Sequence, residues 1–376
     1  MIGIGDQPVD VLPAEARDHL AHYEHVSLAN EGAVLAALHG LAQHARVDQV
    51  ECLWEPYMVL AARIRESFDL PGMTVQETLP FRDKELMKQK LDAAGIRTPH
   101  HASASTVQGI WEAAERIGYP LIVKPIAGAG SADTYRVDST AELTDVLPMV
   151  RHVDVVSVEE FIDAEEFTFD TVCGAGDILF ENVSWYRPRP LEARSHEWIS
   201  PMTIALRDID DEQYAAGRAM GRDVLGALGF RAGFTHMEWY RKADGEVVFG
   251  EIGARPPGAR TVDIMNYATD GDLFRTWAEA MVTGTSAPLT RRYNAANIFK
   301  RAEGSGRITH IEGLDWLLAE YRDNVCVVDL PPIGGHRRDW RATLLSDGMV
   351  IVRHPELDGL IEMADRFARD LRMYAA

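Results

Sequence analysis

The chain has 376 residues, 46% hydrophobic and 26% charged, which is enough apolar material for two or three packed units and too much for intrinsic disorder. Lys and Arg number 38 against 58 Asp and Glu, a net charge of -20 that repels nucleic acid and anionic membrane surfaces. Phosphate-bearing ligands then fit only where local cations or a metal reverse the field. No apolar run is long enough to span a bilayer, and the N-terminal MIGIGDQPVD has no basic leader, so a cytoplasmic location is expected. Cys52, Cys173 and Cys326 lie too far apart, and are odd in number, for a metal pair or a disulfide framework.

Residues 1 to about 81 read as a small α/β unit, with a strand within Arg46–Trp54 and a helix over 57–68. Asp83 is a good N-cap for a helix over 84–94, which Gly95 can end. A second helix spans about 106–117, with Val107, Ile110, Trp111, Ala114 and Ile117 on one face and Gly118 as its stop. A strand at 121–126 leads into the small-residue loop Ala127–Ser131. Strand-like runs recur at 154–158, 166–173 and 178–186. A helix at about 211–228 precedes a hairpin at 232–255. From about 290 the pattern suggests a separate α/β cap, with strands near 325–329 and 349–353 and a closing helix at 355–371.

Asp244-Gly245, between two apolar and aromatic-rich runs, signals a two-residue hairpin turn. With that turn Glu238 faces Glu251 directly across the ladder, and His236 lies on the same face opposite Gly253. Directly opposed side chains have Cβ atoms about 4.5–5.5 Å apart, and like charges there are destabilising. A shared proton would relieve the pair, but a hard divalent cation suits oxygen ligands better. A solvent-facing pair, or a turn of different length, is the plain alternative.

Lys124 sits in an otherwise apolar strand, which is costly unless an anion meets it. Gly128 and Gly130 permit positive φ, so successive N–H groups there can grip phosphate, and Ser131 adds a hydroxyl; an ordinary turn is the alternative. The segment is not a Walker loop.

Five segments, in this order and spacing, resemble the ATP-grasp superfamily, in particular the branch containing biotin carboxylase and the L-amino acid ligases. They are RDKELMKQKLDAAGIRTP (82–99), GYPLIVKPIAGAGS (118–131), VEEFIDAEEFTFD (158–170), HMEW (236–239) and EIGARPPG (251–258). The resemblance implies an α/β (α+β) ATP-grasp fold. It would comprise an N-terminal pre-ATP-grasp domain (1–81), an ATP-grasp domain (82–285) with a mobile lid at about 115–158, and a C-terminal part (286–376). It also implies that Lys84 and Lys124 hold ATP phosphates and that Gly128–Ser131 closes over them. Adenine would meet the hinge Glu159-Glu160-Phe161-Ile162, through the main chain at Glu160 and Ile162 and the Glu159 side chain. Glu166 would bond the ribose. Glu238 and Glu251 would bind Mg²⁺ or Mn²⁺, and Arg255 would steady the acyl phosphate. His236 matches a histidine of the ligase branch that could contact the transferring phosphoryl group, with a structural strand histidine as the alternative. Many members of that family carry an Asn two residues after the second Glu as a third metal ligand, where this chain has Gly253, so the resemblance leaves the number of metal ions open.

The activity so implied is an ATP-dependent carboxylate–amine ligase acting on small molecules, with amino acids as the leading substrates and a homodimer left open. A biotin-carboxylase-like carboxylase and a non-catalytic nucleotide sensor are the competing readings. The loop at 184–200, rich in Trp, Arg and His, offers Arg187, Arg189 and Trp198 as substrate or lid contacts, and Arg260 could hold a substrate carboxylate.

Overall fold

The computed structural model describes residues 1–126, 134–340 and 346–376. The loop residues Gly128, Gly130 and Ser131 lie outside the described residues. The chain divides into two compact units, Met1–Leu79 and Pro80–Ala376.

In the first unit, parallel strands Ile2–Gly5 and His22–His25 accompany helices Glu31–Ala42 and Met58–Ser67. Val34, Leu38 and Ile64 form its buried centre, with Ile4, Val26 and Phe68 packed around them. The expected strand within Arg46–Trp54 does not form. The buried guanidinium of Arg65 donates to the Val50 carbonyl (2.8 Å), so that segment's carbonyl is satisfied by a side chain rather than by a ladder.

In the second unit, helix α1 (Lys84–Ala93) is capped by Asp83, whose carboxylate accepts from the N–H groups of Glu85 and Leu86. Strands β1 (His101–Ala104), β2 (Leu121–Pro125), β3 (Tyr135–Val137) and β4 (Val156–Glu160) form a sheet in the order β1-β4-β2-β3. Helices Val107–Ile117 and Thr140–Val150 cover it, burying Ile110, Leu121, Val123, Leu143 and Val158.

Among the described residues, eight strands build the main sheet. In chain order they are β5 (Glu165–Gly174), β6 (Asp177–Arg187), β7 (Met202–Ala205), β8 (Gly233–Arg241), β9 (Val247–Gly253), β10 (Asn294–Lys300), β11 (Val325–Asp329) and β12 (Gly348–His354). Their spatial order is β9-β8-β5-β6-β7-β10-β12-β11. The C-terminal strands, read from sequence as a separate cap, thus continue the same sheet, because β10 bonds to β7 on one side and β12 on the other.

Side chains alternate between the faces of a strand, and this sheet uses the alternation to separate an apolar face from a polar one. Phe167, Phe169, Met237, Trp239 and Phe249 are buried at 0–1% exposure. The helix Glu212–Leu228 lies against this apolar face. It approaches closely because Gly217 and Gly221 have no Cβ: one added at Gly217 would fall 2.3 Å from the Trp239 ring, and one at Gly221 2.3 Å from Phe169. The intervening residues Glu166, Thr168, Asp170, Asn182, Ser184, His236 and Glu238 point to the opposite face. Six of these seven are also buried, Glu238 alone being partly exposed. So much buried polarity needs mutual hydrogen bonds or ligands.

Candidate active site

The hairpin β8–β9 supplies the centre of the polar face. Glu238 pairs with Glu251 and His236 with Gly253, as expected, but by a different route. The turn is a three-residue loop rather than a two-residue one. Lys242 N–H donates to Glu246 O, Gly245 N–H donates to Lys242 O, and Gly245 takes φ +89°. That loop alone would set every later pair one residue out of step and place Glu251 opposite Met237, on the apolar face. A bulge at Gly250 restores the step, so Trp239 pairs with Phe249 while Glu238 pairs with Glu251. The bulge needs glycine, since a Cβ at Gly250 would stand 2.8 Å from the Glu238 carbonyl oxygen.

Each glutamate has a cation beside it. The Lys84 ammonium is 3.0 Å from Glu251, and His236 Nε2 is 3.8 Å from Glu238. The Tyr186 hydroxyl donates to Glu238 at 3.4 Å. Burial would raise the Glu238 carboxyl, but His236, Arg255 and Lys84 outweigh it and hold Glu238 below the usual carboxylate range. His236 Nδ1 bonds Asp170 at 2.6 Å, and Asp170 in turn accepts from Thr168 (2.7 Å) and Asn182 (3.2 Å). Burial alone would lower the imidazole, yet the Asp170 and Glu238 bonds push it up to about 9, so His236 is a cation at neutral pH.

Arg255 donates to its neighbour's carbonyl, Pro256 O, at 3.0 Å, and its positive charge acts on both Glu238 and His236. Its side chain folds back over Gly253: a Cβ there would meet Arg255 Cγ at 3.4 Å. The Arg255 side chain thus occupies the space beside Gly253.

Lys84, which looks from sequence like an ordinary helix-start lysine, is 8% exposed, and Lys124 is half-buried in β2. The anion that meets Lys124 within the protein is Glu159, at 2.9 Å. Sequence reasoning missed Lys88. It shares the buried face of α1 with Lys84, is 1% exposed, and bonds the other oxygen of Glu159. Burial would raise Glu159, but Lys124 and Lys88 together hold it far below the carboxylate range. Burial also pulls Lys88 down, to about 8, against the attraction of Glu159. The signal that could have found Lys88 is its place in the run Lys84, Met87, Lys88, Leu91, a single helical stripe.

The hinge residues stand where β4 ends. The Glu160 carboxylate pairs with Arg97 at 2.9 Å, and the Phe161 ring lies between the guanidinium groups of Arg136 (4.2 Å to the centroid) and Arg189 (5.2 Å). Arg189 also donates to the Ile162 carbonyl (2.8 Å) and reaches Glu166 (3.5 Å). This member of the 184–200 loop therefore packs on residues 161–166. Glu166 is buried, and burial with the nearby Glu238 charge pushes its carboxyl up to about 8 despite Arg189. Arg187 instead pairs with Asp365, and Trp198 is exposed. Arg260 holds a left-handed backbone conformation, φ +60°, and lies 3.5 Å from Asp329. Among the described residues the structure brings Lys84, Lys124, Glu159, Glu238, Glu251, His236 and Arg255 into one network, joined to the hinge through Glu159 and Glu166.

Two carboxylates facing each other supply the oxygen donors that a hard divalent ion takes, and in this structure Lys84 and His236 are the cations that face them. Among the described residues no group of three or more His, Cys, Asp or Glu is arranged to hold a metal. No helix among the described residues is long and apolar enough to cross a membrane.

Residues 89–271 match the ATP-grasp domain family. An L-arginine-specific L-amino acid ligase of Bacillus subtilis is 28% identical over 218 residues, covering 56% of this chain and 52% of that protein. The chain therefore spans about half the length of that relative. A formate-dependent phosphoribosylglycinamide formyltransferase of Nitratidesulfovibrio vulgaris is 25% identical over 365 residues, 94% of this chain and 88% of the relative. The crystal structure of an L-amino acid ligase from Bacillus licheniformis superposes with a TM-score of 0.79 at 21% identity, covering 100% of this chain and 98% of that one. Residues 89–271 thus resemble an ATP-grasp domain, and the chain has the ATP-grasp fold.

Proposed function

We propose that the protein is an ATP-dependent carboxylate–amine ligase that forms an amide or peptide bond through an acyl phosphate, releasing ADP and phosphate. The observation that carries this reading is the opposition of Glu238 and Glu251 across the hairpin, with Lys84 bonded to Glu251 and the charge of Lys124 acting on both glutamates. The family match supports a nucleotide substrate. One relative named for ligating L-amino acids and another named for its dependence on formate both point to a carboxylate substrate.

A substrate carboxylate oxygen attacks the γ-phosphorus of ATP, the bond to the β–γ bridging oxygen breaks, and ADP leaves. The amine nitrogen then attacks the acyl carbon, phosphate departs with the C–O electron pair, and the nitrogen loses a proton. Glu238 and Glu251 would hold Mg²⁺, which supplies positive charge to the phosphate oxygens. Lys84 and Lys124 bind the phosphates. The main chain at Glu160 and Ile162, with Glu159 and Phe161, receives the base, and Glu166 bonds the ribose. Arg255 offsets the charge that develops on the transferring group, since positioning and electrostatics govern such steps. His236, anchored by Asp170, presents a second cation. The Gly128–Ser131 loop is proposed to close over the phosphates.

The test is phosphate release from ATP with amino acid mixtures, with bicarbonate and with neither. Amino-acid-dependent release with a new amide mass supports ligation. Release that depends on bicarbonate, or nucleotide binding without any release, overturns it.

A further inference from the structure

Lys88 has no part in the site as the family pattern draws it, yet it is among the most deeply buried side chains of the chain. The carboxylate of Glu159 takes three donors. One oxygen takes Lys88 and the Ser157 hydroxyl (2.7 Å), and the other takes Lys124 at 2.9 Å. The cluster of Lys88, Lys124 and Glu159 carries one positive charge more than it carries negative. If Lys124 were the only partner of Glu159, drawing its ammonium toward a phosphate would strip a buried carboxylate of its cation, which is strongly disfavoured. With Lys88 in place, Glu159 keeps a cation and a hydroxyl donor when Lys124 leaves, and the surplus positive charge is what a phosphate oxygen neutralises.

Resting on the nucleotide reading above, we propose that Lys88 is a positioning residue. It stays with Glu159 as a fixed counter-ion and so frees Lys124 to exchange from that carboxylate to a phosphate oxygen of the bound nucleotide.

The test is a double-mutant cycle on the full chain. Calorimetry measures MgADP affinity for the wild type, K88M, E159Q and K88M/E159Q, with thermal unfolding followed in parallel. In the presence of Glu159, loss of Lys88 weakens MgADP by roughly tenfold or more, because Lys124 is then held as the sole counter-ion. In the E159Q background the carboxylate that Lys88 and Lys124 share is gone, so adding K88M changes affinity by less than about twofold. The comparison of E159Q with the double variant stands even if K88M alone fails to fold, since the double variant removes both buried charges and the lysine left in E159Q can shed its proton. K88R, which keeps the charge, retains most of the affinity. Wild-type affinity in K88M, or an equal loss on adding K88M to either background, overturns the proposal. Wild-type protein that does not bind MgADP takes down the functional reading and this inference together. Binding without coupling takes down this inference alone.

Discussion

Gly250 is the residue on which the geometry of the site turns, and Gly250→Ala perturbs it with a single methyl group. The added Cβ would lie 2.8 Å from the Glu238 carbonyl oxygen and 3.2 Å from Tyr240 Cε2. The first of these is backbone and cannot rotate away. Slipping to a bulge-free register would relieve the clash, but it would move Glu251 to the face occupied by Trp239 and Phe249, where an ionised carboxylate is far more costly than strain. The hairpin is therefore expected to open locally at a cost of about 1–3 kcal/mol, separating the two carboxylates. If that strain is borne by the ligand site, MgADP affinity falls by roughly 5- to 150-fold. Gly245→Ala is the control. At φ +89° it is strained by about 1 kcal/mol, but a Cβ there meets nothing within 4 Å and the Glu238–Glu251 pair lies beyond the turn. Calorimetric titration and thermal unfolding of both variants should show two destabilised proteins, of which only Gly250→Ala loses affinity. Wild-type MgADP affinity in Gly250→Ala, or equal losses in both, would refute the reasoning.

Arg255→Ala should preserve MgADP binding and lose turnover by roughly 10²–10³-fold, the usual effect of removing one preorganised donor; near-normal turnover would remove Arg255 from its role. Lys300 is 4% exposed and donates to the Ser200 hydroxyl at 2.9 Å. Burial pushes its ammonium down to about 8, whereas an unfolded lysine titrates near about 10.4. Between those values the unfolded chain binds a proton that the folded chain has shed, so stability rises with pH across that window, by up to roughly 3 kcal/mol. Lys300→Met should flatten the slope in urea unfolding measured from about pH 8 to 10; parallel curves for the two proteins would contradict it.

Much of the fold was legible because periodicity and caps agree locally. Asp83, Gly118 and Gly229 stand where their helices start or stop. The hairpin was legible in outcome but not in cause. A two-residue turn, and a three-residue loop followed by a bulge, bring the same carboxylates together, and only the isolated Gly250 inside a strand marks the second route. Lys88 was not legible because a lysine four residues after Lys84, with Glu85 and Gln89 interleaved, reads as part of a solvated helix surface. Its burial depends on Glu159, 71 residues away. Arg189 was read as a substrate or lid contact, and nothing local in the sequence tells a loop arginine to donate to the Ile162 carbonyl as it does. The 290–376 segment looked separate because its strands pair with one another, and the bond of β10 to β7 spans about ninety residues of sequence.

The central claim is that Glu238 and Glu251 jointly hold a magnesium–nucleotide complex. Titration of ADP into the wild type and Glu251→Gln, each with Mg²⁺ and with chelator, tests it most directly. Tight binding is expected only for wild type with Mg²⁺, and weak, magnesium-insensitive binding for the variant. Wild-type affinity that chelator leaves unchanged, or a variant that responds to Mg²⁺ as the wild type does, would contradict it.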